Sequence, residues 1–298
     1  MIPSQEGRIA LVTGANSGLG RQTAMALAAG GARVLLACRD LGKAAAVAEG
    51  ITGAESVRLD LADLGSVRAA AAEVMDRTGG VLHLLVNNAG IMAVPHRVSA
   101  DGHELQLATN HLGHAALTWL LMPALRAGPG ARVVTVSSGA HRGPGLDVAD
   151  LDFERRPYDK WAAYNQSKLA NLLFAFELDR RARAAGLDLV SAAAHPGMAR
   201  TGLFTGSARA QGGRALVAFA AVVTRVVCQP AAKGALPQVY AATMPGVQGG
   251  QYFGPGGFAE MRGRPVLAEC APAARDGHTA ALLWKETARL TGITPDPS

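Results

Sequence analysis

The chain has 298 residues, 49% hydrophobic and 17% charged, which suits one large α/β core better than two small ones. Its formal net charge is +6, yet the arginines are scattered and no basic stripe is interleaved with aromatics; this argues against a nucleic-acid surface, and an anionic cofactor or substrate, or plain solubility, accounts for the excess. The three cysteines, Cys38, Cys228 and Cys270, fit no disulfide or metal spacing, so a reduced, cytoplasmic setting is expected.

The first residues carry no basic region followed by an apolar core, so no signal peptide is expected. The longest apolar run, residues 215–224 between Arg214 and Arg225, is too short for a membrane span and reads as a buried or interface helix.

In chain order, an apolar strand ending at Thr13 enters a turn with Gly14, Gly18 and Gly20, and an alanine-rich helix leaves it over 21–29. Glycines permit close backbone approach, and the free N–H groups of a helix start favour a phosphate. The Gly-x-x-x-Gly-x-Gly spacing differs from the common Gly-x-Gly-x-x-Gly fingerprint, so the turn alone is weak as a signal. Residues 32–38 form a second apolar run, 41–50 a weak helix, 56–61 a third strand and 64–77 an amphipathic helix. Residues 81–86 form a fourth strand ending in Asn87-Asn88-Ala89-Gly90; a long helix is expected over 100–126 and a fifth strand over 132–138.

An irregular Gly-, Pro- and charge-rich stretch covers 139–159, followed by a strong helix over 160–185. A sixth strand over 187–194 ends in His195-Pro196-Gly197. Residues 198–228 read as a mobile substrate-binding segment, with helices expected around 215–227 and 230–243, a last strand over 250–254 and a final helix over 279–290. Strand and helix alternate without a hairpin signal. The expected architecture is a single Rossmann-type, doubly wound parallel sheet of about seven strands, with helices on both faces and ligands at the carboxyl ends of the strands.

Tyr164 and Lys168 stand four apart on a helix and so share a face, where a cation favours the ionised phenol. Ser138 ends a parallel strand and can polarise a substrate oxygen; its neighbour Ser137 faces the other way. Asn110 is a weak helix former inside the long helix, able to bond a backbone carbonyl or hold a water, or to lie on a solvated face. Each motif alone is common. Together, in this order, they are specific: Thr-Gly-x-x-x-Gly-x-Gly, Asp60, Asn-Asn-Ala-Gly, Asn110, Ser138, Tyr-x-x-x-Lys and Pro-Gly closely resemble the short-chain dehydrogenase/reductase family over nearly the whole chain.

That resemblance implies an oxidoreductase acting on a CH–OH or C=O group. Gly14, Asn16, Ser17, Gly18, Leu19 and Gly20 would approach the cofactor pyrophosphate, Asp60 and Leu61 the adenine, and Asn88, Ala89 and Gly90 the cofactor floor. Tyr164 would donate or accept the proton, Lys168 would hold the nicotinamide ribose and depress the tyrosine pKa, Ser138 would polarise the substrate oxygen, and Asn110 would complete a proton relay through water. Pro196, Gly197 and Thr201 match positions on the nicotinamide side.

At the end of the second strand, where an acid would pair with the ribose of NAD, stand Cys38 and Arg39. A neutral residue followed by a guanidinium favours a 2′-phosphate, hence NADP(H) over NAD(H), although Asp40 is close enough to reach a ribose and Arg21 is a second phosphate candidate. The long 139–159 segment, with 37–40 and 110–114, resembles the retinol dehydrogenase and WW-domain oxidoreductase branch and implies an apolar carbonyl or alcohol substrate. A lyase or epimerase with bound cofactor, or a non-catalytic NADP sensor, are the alternatives. His111, His114 and His195 lack a carboxylate or cysteine at metal spacing, so no metal is expected; His141 reads as a solvated loop residue. The helices around His114 and Ser167 are candidates for packing in a homo-oligomer.

Overall fold

The computed structural model describes residues 2–199 and 228–297. Its first half alternates strand and helix: β1 Ile9–Thr13, α1 Gly18–Ala29, β2 Arg33–Cys38, α2 Leu41–Ala48, β3 Ala54–Arg58, α3 Leu64–Arg77 and β4 Leu84–Asn87. After a helical region come β5 Ala131–Val136, α7 Lys160–Ala184, β6 Leu189–Ala194, β7 Tyr252–Pro255 and β8 Pro265–Leu267. The strands join one sheet in the order β3-β2-β1-β4-β5-β6-β7-β8. Chain direction across the sheet reverses at β1, whose neighbours are β2 and β4. The crevice beyond the carboxyl ends of β1 and β4 is therefore where a ligand is expected to sit.

The apolar runs form strands because both faces are covered. Successive side chains point to opposite faces of a sheet. Leu11, Leu35, Leu85 and Val133 enter the core under α3, α7 and the helix before β5, whereas Ala10, Val12, Leu36, Val86 and Val134 enter the core under α1 and the helix before β7. On the first face Trp119, Phe174 and Trp284 form a clasp, with Trp119–Trp284 and Phe174–Trp284 centroids 5.0 and 5.3 Å apart. It locks the last helix, α10 Gly277–Thr291, onto α7.

Four local expectations change. The long helix over 100–126 is broken into α4 Leu105–Leu107, a π-helical turn Ala108–Leu112, α5 Gly113–Leu120 and α6 Met122–Ala127. Glu104 starts it by accepting from the N–H groups of Gln106 and Leu107, and Pro123, which cannot continue the backbone ladder, separates α5 from α6. Likewise, in place of one continuous helix, α8 Ala231–Gly234 and α9 Leu236–Thr243 form, and Pro237 sits in the first turn of α9. The third strand stops at Arg58 because Asp60 turns the chain, its carboxylate accepting from Ala62 N and its own N–H donating to Ser66 Oγ.

The seven parallel strands match the expected number, and an eighth, antiparallel strand joins the edge. β7 pairs antiparallel with β8 in a hairpin that no alternation announced. Three residues on a sheet edge are too few to show a period. No helix among the described residues is long and apolar enough to cross a membrane, and the 215–224 run lies outside them.

Candidate active site

Beyond the carboxyl ends of β1, β2 and β4 lies a cavity of about 850 Å³. Gly14, Asn16, Ser17, Gly18, Leu19, Gly20, Arg39, Asp60, Leu61, Asn88, Ala89 and Gly90 all line it. The opening turn is built for close approach. Gly14 has φ +66°, and a Cβ on Gly20 would lie 2.4 Å from the Gly14 carbonyl oxygen and 2.6 Å from Asn88 Nδ2. Ser17 precedes α1 without a side-chain cap, and no acid stands in the first turn, so the leading N–H groups remain for an anion. A dinucleotide pyrophosphate fits this cradle.

Charge gathers at the β2 end. Arg39 is exposed, and Lys43, which sequence reasoning missed, joins it on the wall. Its one signal was a basic residue in the first turn of the next helix. Asp40 also lines the cavity; it caps α2 through Lys43 N at 3.0 Å and pairs with Lys43 Nζ at 2.7 Å. Cys38 is buried beside them, and burial pushes its thiol pKa up. Arg21 is exposed and is not on the cavity wall.

A smaller pocket of about 80 Å³ adjoins the first, sharing Leu19, Asn88, Gly90, Ile91 and Met92. Ser138, Tyr164, Lys168, Pro196 and Gly197 line it. The Ser138 side chain hydrogen-bonds Tyr164 and also accepts from Ala140 N at 3.2 Å. Ser137 serves structure instead, donating to the Lys168 carbonyl at 2.7 Å and fastening α7 to the end of β5. Lys168 Nζ donates to the Val136 carbonyl at 3.2 Å and sits 5.9 Å from the Tyr164 ring centroid.

The electrostatics differ from the sequence expectation. Burial raises the Tyr164 pKa, with the Ser138 hydrogen bond acting in the other direction, and lowers Lys168 to about 8. Desolvation disfavours both charged forms, so proximity to Lys168 does not by itself yield a depressed phenol.

Asn110 lies on neither wall. It is fully buried in the π-helical turn, its Oδ1 accepting from Ile91 N at 2.8 Å and its Nδ2 donating to Ile91 O at 3.0 Å and to Ser167 Oγ at 2.9 Å. A Cβ on Gly90 would lie 3.1 Å from Asn110 Oδ1 and 3.4 Å from Lys168 Nζ, so both groups converge behind that glycine. Of the readings open for Asn110, the solvated face is not the one observed: its amide bonds a backbone carbonyl and holds the β4 exit against α7. π-Helical turns recur at functional sites.

The histidines are structural contacts. His111 bonds Thr287, His114 bonds Thr13, and His195 Nδ1 accepts from Gly197 N at 3.3 Å. Among the described residues no group of three metal-ligating side chains is gathered. His141 is buried, not solvated; its Nδ1 donates to the Ser138 carbonyl at 2.6 Å and its Nε2 accepts from Ala271 N at 3.1 Å, which ties the Ser138 turn to the carboxyl-terminal region. Sequence reasoning also missed Gln238, whose Nε2 donates to Asn88 Oδ1 at 3.0 Å. Thr201 and nearly all of the 198–228 stretch lie outside the described residues.

The family model for short chain dehydrogenase matches residues 8–212. The chain is 38% identical to human retinol dehydrogenase 13 over 297 residues, 96% of this chain and 85% of that one. It is 40% identical to mouse polyprenol dehydrogenase over 304 residues, 98% and 86% of the two chains. A crystal structure of an uncharacterised protein from Mycobacterium Paratuberculosis superposes with a TM-score of 0.81 at 42% identity, covering 98% of this chain and 96% of that one. The chain belongs to the short-chain dehydrogenase/reductase family, in its retinol dehydrogenase branch, and is a nicotinamide-dependent oxidoreductase.

Proposed function

We propose that this protein is an NADP(H)-dependent oxidoreductase that interconverts an apolar alcohol and its carbonyl compound. The observation that carries the cofactor choice is the pair of cations at the β2 end: Arg39 and Lys43 line the cavity there, and the acid between them in sequence, Asp40, is paired with Lys43. Two positive groups with their acid neutralised suit a 2′-phosphate and give a ribose diol no dedicated carboxylate. The apolar wall of Ile91, Met92 and Ala199 beside Ser138 and Tyr164 supports an apolar substrate, as do relatives named for retinol and polyprenol.

The bound nicotinamide supplies or takes up the hydride. The protein's own groups position the substrate and move the proton. Ser138 Oγ and the Tyr164 phenol, already hydrogen-bonded to each other, converge on the substrate oxygen. In reduction Tyr164 gives its proton to that oxygen, and its raised pKa keeps the phenol protonated and ready as the acid. As the phenol ionises, the Lys168 ammonium on the same helix stabilises the phenolate. Lys168 is also the group that would hold the nicotinamide ribose. Asn110 fixes Ile91 and the backbone of α7 through Ser167, which holds the two halves of the pocket at a constant separation.

The test is a panel of medium- and long-chain aldehydes, ketones and alcohols with NADPH or NADP, followed by cofactor absorbance, with NADH and NAD in parallel. Turnover of apolar members with the phosphorylated cofactor is expected. Equal efficiency with NADH would overturn the cofactor assignment, and preference for small polar substrates would overturn the apolar one.

A further inference from the structure

His114 stands on α5, one turn beyond Asn110, and is 2% exposed. Its ring bridges the end of β1 and the π-helical turn. Nδ1 lies 3.0 Å from the Asn110 main-chain carbonyl, and Nε2 lies 2.8 Å from Thr13 Oγ1. A carbonyl only accepts, so Nδ1 carries the hydrogen and the neutral ring presents Nε2 as an acceptor. Burial keeps the ring neutral, holding its pKa at about 3.

The tautomer fixes the next hydroxyl in turn. Thr13 Oγ1 donates its one hydrogen to His114 Nε2 at 2.8 Å in preference to the Val86 carbonyl at 3.4 Å, and so turns its lone pairs to the N–H groups of Asn88 and Ala89, each at 2.9 Å. Asn88 then donates Nδ2 to the Thr13 carbonyl at 2.8 Å, closing the floor of the cavity beside Gly14 and Gly20. At the other side of the imidazole, Asn110 holds Ile91 and Ser167, and Ser167 donates to the Tyr164 carbonyl at 2.8 Å. One ring therefore lies in a continuous chain of hydrogen bonds from the dinucleotide turn to the helix that carries the tyrosine.

We infer that His114 is a positioning residue for the reaction, using its two ring nitrogens separately: Nε2 sets the cofactor floor through Thr13, and Nδ1 sets the π-helical turn that carries Asn110. This role presupposes the proposed oxidoreductase activity, but its cofactor arm is measurable by binding alone.

Asparagine places an amide near the Nδ1 position and has nothing at Nε2, whereas glutamine reaches the Nε2 position and has nothing at Nδ1. NADPH affinity by fluorescence titration, and kcat at saturating NADPH, are measured for wild type, His114→Asn, His114→Gln and Thr13→Val. His114→Asn is expected to weaken NADPH binding about tenfold and to lower kcat less; that is the effect of losing one buried hydrogen bond to an orienting hydroxyl. His114→Gln is expected to show the reverse split, a kcat loss of about tenfold with a smaller change in affinity. Adding His114→Asn to Thr13→Val should cause no further loss of affinity, since the hydroxyl it acts through is gone.

Equal losses of affinity and kcat in both amide variants, or additive losses in the double variant, would overturn the inference. Failure of either histidine variant to fold leaves the other, with Thr13→Val, to decide. A wild type that binds NADPH without turning over any substrate would defeat the proposed oxidoreductase activity while the affinity arm still decides the role of Nε2.

Discussion

The two ends of the cleft are built on opposite principles. At the β2 end Arg39, Asp40 and Lys43 are exposed, and each charge meets solvent. At the β5 end Tyr164, Lys168 and Asn110 are all buried and held by specific partners. Exposed charges act through screened attraction, worth about 0–1 kcal/mol for an ordinary pair, so under the proposed function that end tunes which cofactor binds and how tightly. The buried Tyr164 and Lys168 act through protonation states set by desolvation, so under the proposed function that end decides whether chemistry occurs. Removing a residue at the first end should grade the affinity, and removing one at the second should switch the reaction off.

Lys168→Met tests the contrast most severely. It should lower kcat by roughly 10²-fold or more, in line with loss of a charge that acts on the reacting phenol, while the fold becomes more stable. The sign follows from linkage. The folded-state pKa is about 8 and the unfolded value about 10.4, so between these the unfolded chain binds the proton more strongly and wild-type stability rises with pH. Below pH 8 the buried ammonium costs the fold up to about 3 kcal/mol, because each pH unit between the two pKa values is worth about 1.36 kcal/mol. Denaturant melts of both proteins at pH 7 and pH 10 check this: the wild type should gain stability across the interval, and the variant should lack that gain. A methionine variant that is both inactive and less stable at pH 7 would remove the distinction between the two ends.

The next effect is smaller. Arg39→Ala should weaken NADPH binding about tenfold, a loss of about 1.4 kcal/mol, leave NADH binding nearly unchanged, and leave kcat at saturating NADPH within about twofold. Isothermal titration with both cofactors measures it. Smallest is Lys43→Ala, which frees Asp40 as it removes a cation; a two- to five-fold loss of NADPH affinity is expected, on the order of 1 kcal/mol, fading as salt is raised. Titrations at low and high ionic strength check that. An Arg39 effect that also fails to fade with salt would mean that this end is less solvent-screened than its exposure implies.

The same contrast explains what was legible in the sequence. β1, β2 and β4 were visible as continuous apolar runs because both faces of each strand are covered, and α3 was read at its observed limits because its apolar face is periodic. The residues expected around the pyrophosphate were found by the order of glycines and strand ends, and they do line one cavity. What stayed hidden depends on distant partners. The π-helical turn at Ala108–Leu112 leaves no trace in a helical period, and the partners of Asn110, Ile91 and Ser167, are respectively 19 and 57 residues away. His141 read as a loop residue because the segment around it is polar, yet its second partner, Ala271, lies 130 residues further on. The edge strand β8 is too short to announce itself, and the Asp40–Lys43 pair, on which the proposed cofactor choice rests, is visible only when the helix cap is seen.

The central claim is that binding and chemistry are divided between the two ends, with Tyr164 as the acid–base group. Tyr164→Phe tests it directly, because it removes one oxygen and leaves the ring and the helix in place. NADPH affinity and kcat/KM for the best substrate should be measured on the same preparation. The expected result is NADPH affinity within about threefold of wild type with kcat/KM lower by roughly 10²- to 10⁴-fold. Turnover that survives the substitution, or loss of NADPH binding in proportion to loss of turnover, would contradict it.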